Sequence, residues 1–185
     1  MRKLLNSELN RKTIDEIRES EKTPFILVLD NVRSQSNTGS VFRTADAFLA
    51  EAVYLCGITG KPPSREMQKT ALGATESVEW KYFTETADAI AELKKNGYII
   101  IAVEQVEGSV GLQDMELKKD EKYALIFGHE INGVDQHILN MCDLCIEIPQ
   151  FGMKHSFNIA VSAGIVLWEL NMKLRRGEKE KKKGP

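Results

Sequence analysis

Short apolar runs alternate with amphipathic stretches along this chain, and the alternation predicts its secondary structure. Runs that are apolar at successive positions are typical of strands buried on both faces of a sheet. They predict strands at residues 25–30, 52–58, 98–104, 123–128 and 144–149, and an alternating run predicts another at 78–83. Helical spacing predicts helices at residues 6–22, 39–50, 67–72, 86–95, 136–141 and 156–174, whereas the polar residues 107–121 are predicted to form a loop. This order indicates an α/β fold, with a parallel sheet and helices on both faces.

Three polar segments each follow a predicted strand, and they span residues 31–43, 128–134 and 149–158. The carboxyl ends of parallel strands lie at one edge of a sheet, where backbone N–H groups are free and ligands of α/β proteins bind. The polar side chains brought to that edge are Asn37, Arg43, His129, Glu130, Asn132, Lys154, His155, Ser156 and Asn158. We therefore expect one ligand site built from three distant segments.

Each of these residues also has an ordinary structural interpretation. Arg43 fits an exposed helical position, and Glu130 fits the positive end of a helix dipole. Asn37 and Ser156 fit helix N-caps. The convergence of three segments, rather than any single residue, predicts the site.

Familiar nucleotide and hydrolase motifs are missing from the chain. No GxGxxG follows a strand, which argues against a nucleotide-dependent oxidoreductase. Residues 57–61 (GITGK) lack the first glycine and the Ser/Thr of a P-loop, and no GxSxG is present. Cys142 and Cys145 form a CxxC, but no second Cys or His pair lies at zinc spacing. We therefore expect no metal site.

Length and composition indicate one globular domain. The chain has 185 residues, of which 42% are hydrophobic, enough for a single buried core. No apolar run approaches the roughly 18 residues of a membrane span, and the N-terminus lacks a signal-peptide pattern. The three cysteines argue against a disulfide framework. These features predict a cytoplasmic protein with no membrane contact.

Charge is uneven along the chain. The net charge is −2, yet residues 173–183 contain seven basic and two acidic residues, a net of +5. Such a segment is either a tail that contacts a polyanion or a solvated terminus.

The three polar segments resemble the motifs of a known family. NTGSVFRTA (37–45), FGHEINGV (127–134) and IPQFGMKHSFNIAVSAG (148–164) resemble, in order and spacing, the motifs of the SpoU family of RNA ribose 2′-O-methyltransferases. That family belongs to the SPOUT superfamily, and the resemblance covers residues 22–172. It more often has Asn where His129 stands, and Leu or Met where Phe157 stands. The resemblance implies a SPOUT-type fold with a C-terminal trefoil knot.

By this resemblance, the protein transfers a methyl group from S-adenosylmethionine to a ribose 2′-hydroxyl of tRNA or rRNA, without a metal. The residues implied to contact the cofactor are Val103, Gly128, Ile148, Ser156 and Phe157. The residues implied to form the catalytic centre are Arg43, Asn37, Glu130, Ser156 and Asn158. The alternative is a non-catalytic RNA-binding or assembly protein on the same fold, and titration with S-adenosylmethionine separates the two.

Arg43 raises a chemical question. A guanidinium stays protonated at ordinary pH and is a poor general base. In a mechanism proposed for the family, a substrate phosphate helps the arginine accept the proton. A plainer role is bidentate binding of a phosphate, which positions the ribose. Glu130 and His155 are the alternative bases.

The resemblance also implies a homodimer, with the knot region and the last helix at the interface. Residues 157–170 are apolar almost all round, which fits either such an interface or a helix buried in its own domain. We predict a short N-terminal helical extension at residues 1–22, a SPOUT methyltransferase domain at 23–174, and a basic, disordered tail at 175–185.

Overall fold

The structure is a computed structural model that describes residues 1–9, 12–118 and 120–181. Its strands are β1 (Thr23–Asp30), β2 (Ala50–Cys56), β3 (Glu79–Phe83), β4 (Tyr98–Val103), β5 (Val110–Gly111), β6 (Lys122–Phe127) and β7 (Leu144–Glu147). Its α-helices are α1 (Ile14–Glu19), α2 (Gln35–Ala47), α3 (Arg65–Ala71), α4 (Ala74–Ser77), α5 (Thr86–Lys95), α6 (Gln136–Leu139) and α7 (Ile159–Lys181). Short 3₁₀ helices lie at Asn6–Glu8 and Leu112–Asp114.

The strands of the described residues form one sheet in the order β3-β2-β1-β6-β4-β7-β5, and every neighbouring pair is parallel. Residues of β1 alternate between two cores. Phe25, Leu27 and Leu29 pack on the face covered by α2, α3 and α7, while Ile26 and Val28 pack on the face covered by α5 and α6. Because both faces are covered, the central strands are apolar at successive positions. The predicted α/β class, with helices on both faces of a parallel sheet, is confirmed.

Capping side chains decide where two helices of the site begin. The Ser34 hydroxyl accepts the Asn37 N–H at 3.2 Å, so α2 starts four residues before the predicted residue 39. The Asn158 side chain accepts the Ala160 N–H at 2.9 Å, so α7 starts three residues after the predicted residue 156. The N-cap interpretation of Asn37 and Ser156 is therefore wrong.

The prediction of one helix over residues 6–22 is also wrong. A 3₁₀ turn and the short α1 lie there instead. The Thr13 hydroxyl accepts the Glu16 N–H at 3.2 Å, and the Glu16 carboxylate accepts the Thr13 N–H at 2.7 Å. This reciprocal pair is a capping box, which starts α1 six residues later than a cap at Ser7 would.

The predicted loop at residues 107–121 contains β5, which pairs with β7, and a 3₁₀ helix. The loop prediction is wrong there, because a two-residue strand is too short to show a period. The Lys173 ammonium on α7 donates to three carbonyls of this segment, at 2.7, 2.8 and 3.0 Å: those of Gln113, Met115 and Leu112. Lys173 thus stabilises the fold and is not part of a free basic tail.

α7 continues to Lys181 and so extends into the segment predicted to be a tail, of which residues 182–185 lie outside the described residues. The domain boundaries and the C-terminal trefoil knot stay predictions. None of the described helices is both long and apolar enough to span a bilayer. The sheet order places β1, β6, β4 and β7 side by side, so the three polar segments leave the same edge of the sheet, as predicted.

Candidate active site

A cleft of about 500 Å³ opens at the carboxyl ends of β4, β6 and β7. Most of the predicted site residues line it, namely Val103, Gly128, Glu130, Ile148, Ser156, Phe157 and Asn158. Its lining also includes Glu104, Phe127, His129, Glu147, His155 and Ile159. Its volume and its mixture of apolar walls with a few polar groups are those of a small-molecule site.

Glu130 connects the second polar segment to the loop before α2. One carboxylate oxygen accepts the Arg33 N–H at 3.0 Å, and the other accepts the Ser34 N–H at 2.9 Å. Partial burial raises the pKa of Glu130, but hydrogen bonds from the backbone of Arg33 and Ser34 outweigh burial, and the pKa lies below its ordinary value. An ionised carboxylate with both oxygens engaged positions a loop and is a poor general base.

Asn37 joins the first polar segment to the other two. Its Nδ2 donates to the Glu130 carboxylate at 3.3 Å, and its Oδ1 accepts the Asn158 amide N–H at 3.0 Å. The other end of the Asn158 amide caps α7. A continuous chain of hydrogen bonds from Glu130 through Asn37 to Asn158 therefore connects all three segments beside the cleft.

Arg43 lies on the exposed face of α2 and is not part of the cleft lining. It follows Asn37 by six residues, which displaces it about 9 Å along the helix and about 120° around it. Within the part of the chain that the structure describes, its guanidinium makes no hydrogen bond or ion pair. One copy of the chain thus brings four of the five predicted catalytic residues together, and Arg43 stays apart.

The third segment is exposed before it enters α7. The side chains of Lys154, His155 and Ser156 face solvent, and His155 and Ser156 also line the cleft. The Gln150 side chain donates to the His155 carbonyl at 3.2 Å and bends the segment over the end of β7. Exposed polar groups at the mouth of a cleft are accessible to a large substrate.

Glu104 is a site residue that sequence reasoning missed. Its carboxylate accepts the Val134 N–H at 3.0 Å and the Gln105 N–H at 2.9 Å. It lies so close to Gly133 that a Cβ on this glycine would be 2.2 Å from the carboxylate. An acidic residue directly after a buried strand was the available signal, because only a hydrogen-bonded carboxylate is stable there.

No group of three or more His, Cys, Asp or Glu side chains within residues 1–9, 12–118 and 120–181 could hold a metal ion. Burial raises the pKa of Cys142 to about 12, and its thiol donates to the Ile138 carbonyl at 3.2 Å. Burial also raises the pKa of Cys145. The CxxC pair is therefore packed as two protonated thiols.

The chain is similar in sequence to proteins named as RNA methyltransferases. It is 31% identical over 166 residues to the 23S rRNA (guanosine-2′-O-)-methyltransferase RlmB of Neisseria meningitidis, an alignment that covers 89% of this chain and 65% of that protein. It is 28% identical to the tRNA (guanosine(18)-2′-O)-methyltransferase of Borreliella burgdorferi, covering 80% of this chain and 66% of the relative. The chain spans just under two thirds of the length of these relatives.

Solved structures share the fold. The TrmH/SpoU tRNA modifying enzyme of A. aeolicus superposes with a TM-score of 0.78 at 26% identity, over 89% of this chain and 82% of that one. An AdoMet-bound rRNA methyltransferase from Sinorhizobium meliloti superposes with a TM-score of 0.77 at 28% identity, over 85% and 60% of the two chains.

The family model of the SpoU rRNA Methylase family matches residues 24–168. This range contains the whole sheet apart from one residue of β1, together with all three segments that build the cleft. The chain therefore belongs to the SpoU rRNA methylase family.

Proposed function

We propose that this chain transfers a methyl group from S-adenosylmethionine to a ribose 2′-hydroxyl of tRNA or rRNA. The observation that carries the proposal is the hydrogen-bonded chain Glu130–Asn37–Asn158, which assembles the three family segments beside one cleft. The substrate class is supported by the relatives, whose names describe 2′-O-methylation of guanosine in 23S rRNA and in tRNA.

The cleft suits this cofactor. Val103, Ile148 and Phe157 supply apolar surface for it, and Ser156 supplies a hydroxyl. Gly128 lets the turn that ends at Gly133 pack directly against the cleft wall, since a Cβ there would lie 2.2 Å from the Gly133 carbonyl carbon. When bound, S-adenosylmethionine supplies a sulfonium methyl group that a nucleophilic oxygen can take, with the carbon–sulfur electron pair staying on sulfur.

We assign Arg43 to a phosphate next to the reacting ribose. Its exposed guanidinium offers a charged, bidentate donor pair, which is the geometry that a phosphate accepts. Glu130 and Asn37 hold the loop and first turn of α2, so they position the helix that carries Arg43. This arrangement orients the ribose and lowers the entropic part of the barrier.

The 2′-hydroxyl enters between Ser156 and Asn158 at the mouth of the cleft. Its proton must leave as the new bond to carbon forms. Glu130 is unsuited to accept it because its pKa is lowered and its oxygens are engaged. Proton removal is then assigned to His155, whose side chain lines the cleft, or to a substrate phosphate held by Arg43.

A transfer assay with S-adenosylmethionine labelled in its methyl group tests the function. Incubation with tRNA and rRNA that lack modifications is expected to label RNA, and the label is expected to map to a ribose 2′-oxygen. Tight cofactor binding without transfer to either RNA would contradict the proposed function. RNA binding with no cofactor binding would instead favour the non-catalytic alternative.

We also propose a homodimer that buries the exposed side of α7. Val161 and Trp168 are 48% and 56% exposed, and their spacing of seven residues places them on one side of the helix. Phe157, just before the helix, is 44% exposed. Phe151 and Met153 of the preceding segment are still more exposed. An exposed apolar surface of this kind is typical of a protein interface.

The proposed interface borders the helix that carries Arg43. Phe48, directly after α2, packs edge-on against Trp168, with ring centroids 6.3 Å apart. A second copy seated on α7 would therefore approach the exposed face of α2 and bring Arg43 close to a cleft. This accounts for an arginine that lies outside the cleft of its own chain.

Val161→Glu is expected to convert the dimer into a monomer. A charge buried in an apolar interface without a partner costs several kcal/mol, which raises the dissociation constant at least about 100-fold. Sedimentation at micromolar concentration measures the effect. The control is Gln68→Glu, which adds the same charge at an exposed position of α3. A monomeric unsubstituted protein, or a dimeric Val161→Glu variant, would contradict the proposed interface.

The proposal also includes the domain boundaries after residues 22 and 174, and a cytoplasmic location. Because Lys173 donates to three carbonyls, contact between the basic segment and RNA phosphates is assigned to residues from Arg175 onward. Such contacts weaken as salt rises, because the release of counterions from the phosphates gains less free energy in a more concentrated salt solution.

A further inference from the structure

His129 closes the turn that carries Glu130. The backbone groups of His129 and Gly133 exchange two hydrogen bonds, at 3.0 and 2.9 Å. Inside this turn, the Nδ1 atom of His129 accepts the Ile131 N–H at 3.1 Å and the Asn132 N–H at 3.4 Å. A ring nitrogen that faces two N–H donors presents its lone pair, so it carries no proton.

The geometry is that of an Asx-type turn, in which a side-chain oxygen accepts an N–H two residues further along the chain. In this chain an imidazole nitrogen takes the place of that oxygen. The turn matters because the Glu130 carboxylate extends from it to the backbone of Arg33 and Ser34. The opposite side of the turn, at Gly133, packs against Gly128 in the cleft lining.

We propose that His129 is a positioning residue that holds the cofactor cleft in shape only while its Nδ1 is unprotonated. Protonation adds an N–H where two backbone N–H groups already point, so the acceptor is lost and the donors are repelled. The turn from His129 to Gly133 then opens, and with it one wall of the cleft. The identity of the cofactor rests on the proposed function, but the opening of the turn does not.

Other charged groups face the same cleft, and the test must separate them. Glu104 lies at the end of β4, Glu147 at the end of β7, and Glu130 on the turn itself. His155 lies on the segment before α7 and is the second histidine of the cleft. As the other imidazole of the cleft, His155 is the competing source of a pH effect on binding.

The binding of S-adenosylmethionine is measured by calorimetry from pH 8 to pH 5.5. A site that binds only with an unprotonated imidazole loses affinity as the pH falls, by up to about tenfold per pH unit. His129→Asn supplies an acceptor that does not titrate, so this variant is expected to bind within about threefold of the unsubstituted protein at pH 7.5. It is also expected to lose the acid decline, which is the fall in affinity for S-adenosylmethionine as the pH is lowered. His129→Ala removes the acceptor and is expected to bind about threefold to tenfold more weakly at every pH.

Two further variants serve as controls. His137→Asn changes an exposed histidine of α6, outside the cleft lining, and should retain the acid decline. His155→Asn should retain it as well. An acid decline that persists in His129→Asn, or that disappears in His155→Asn, would overturn the inference.

Amide exchange without cofactor provides an independent readout. In the unsubstituted protein, the amides of Ile131 and Asn132 are expected to lose protection as the pH is lowered from 8 to 5.5, after correction for intrinsic exchange. In His129→Asn at least the amide of Ile131 keeps its protection. Absence of this difference would overturn the inference even if the cofactor binds. Failure of S-adenosylmethionine to bind at pH 8 with the exchange difference intact would contradict the proposed function alone.

Discussion

Arg43→Ala is expected to lower methyl transfer at least about 100-fold while the affinity for S-adenosylmethionine stays within about twofold. Arg43 is exposed on α2 and lies outside the cleft lining, so its loss leaves the cofactor walls unchanged. A charged, bidentate contact to a phosphate would be lost, and the ribose would no longer be held in line with the methyl group. Single-turnover transfer and calorimetry measure the two quantities separately.

Two substitutions control for charge and for position. Arg43→Lys keeps the charge but lacks the planar pair of donors, so its transfer rate is expected to lie between those of the unsubstituted protein and Arg43→Ala. Arg65→Ala removes an exposed arginine from α3 and is expected to keep transfer within about threefold, since a single surface cation adds little. Unchanged turnover in Arg43→Ala, or a parallel loss of cofactor affinity, would refute the role assigned to Arg43.

Gly128→Ala is expected to weaken cofactor binding about 10- to 100-fold, because overpacking of this kind costs about 1–3 kcal/mol. The new Cβ would lie 2.2 Å from the Gly133 carbonyl carbon and 2.3 Å from its oxygen and from the Val134 nitrogen. All three neighbours are backbone atoms, so the turn must move as a whole. That movement breaks the paired hydrogen bonds between His129 and Gly133 and shifts Glu130.

Gly152→Ala is the matched control, since a Cβ at Gly152 meets no atom within 4 Å and its backbone needs no positive φ. Calorimetry with S-adenosylmethionine should show normal affinity for this variant and weak affinity for Gly128→Ala. Thermal unfolding should show that both variants retain the fold. Normal cofactor affinity in Gly128→Ala would mean that the turn tolerates displacement. Equal loss of cofactor affinity in Gly128→Ala and Gly152→Ala would show that close packing at Gly128 is not the cause.

The strands were predictable because burial acts on each residue of a strand directly. In β1, Phe25, Leu27 and Leu29 enter one core while Ile26 and Val28 enter the other, so every position from 25 to 29 is apolar. Helix starts were less predictable, because several polar residues near each start can cap. Ser34 rather than Asn37 caps α2, and this choice released the Asn37 side chain for the site.

Features that no hydrophobic periodicity marks were not predicted from the sequence. β5 has two residues and exists because β7 offers it an edge, so its cause lies elsewhere in the chain. Glu104 was not predicted as a site residue for a similar reason, since its neighbours Val134 and Gly133 belong to a loop about thirty residues further along the chain. Contacts between residues this far apart in the sequence are set by the order of strands in the sheet and not by local residue spacing.

The α/β class, the sheet edge at which the site lies and the three segments that build it all follow from the order of residues along the chain. Apolar periodicity and motif order are linear properties, so they can be read without coordinates. Three other features depend on packing in three dimensions: Glu130 holds a loop, Asn37 meets Asn158 across 121 residues, and Arg43 lies outside the cleft. These outcomes depend on which strands are neighbours and on where each helix begins. Both are settled by packing and capping between distant residues, where no local pattern carries the information.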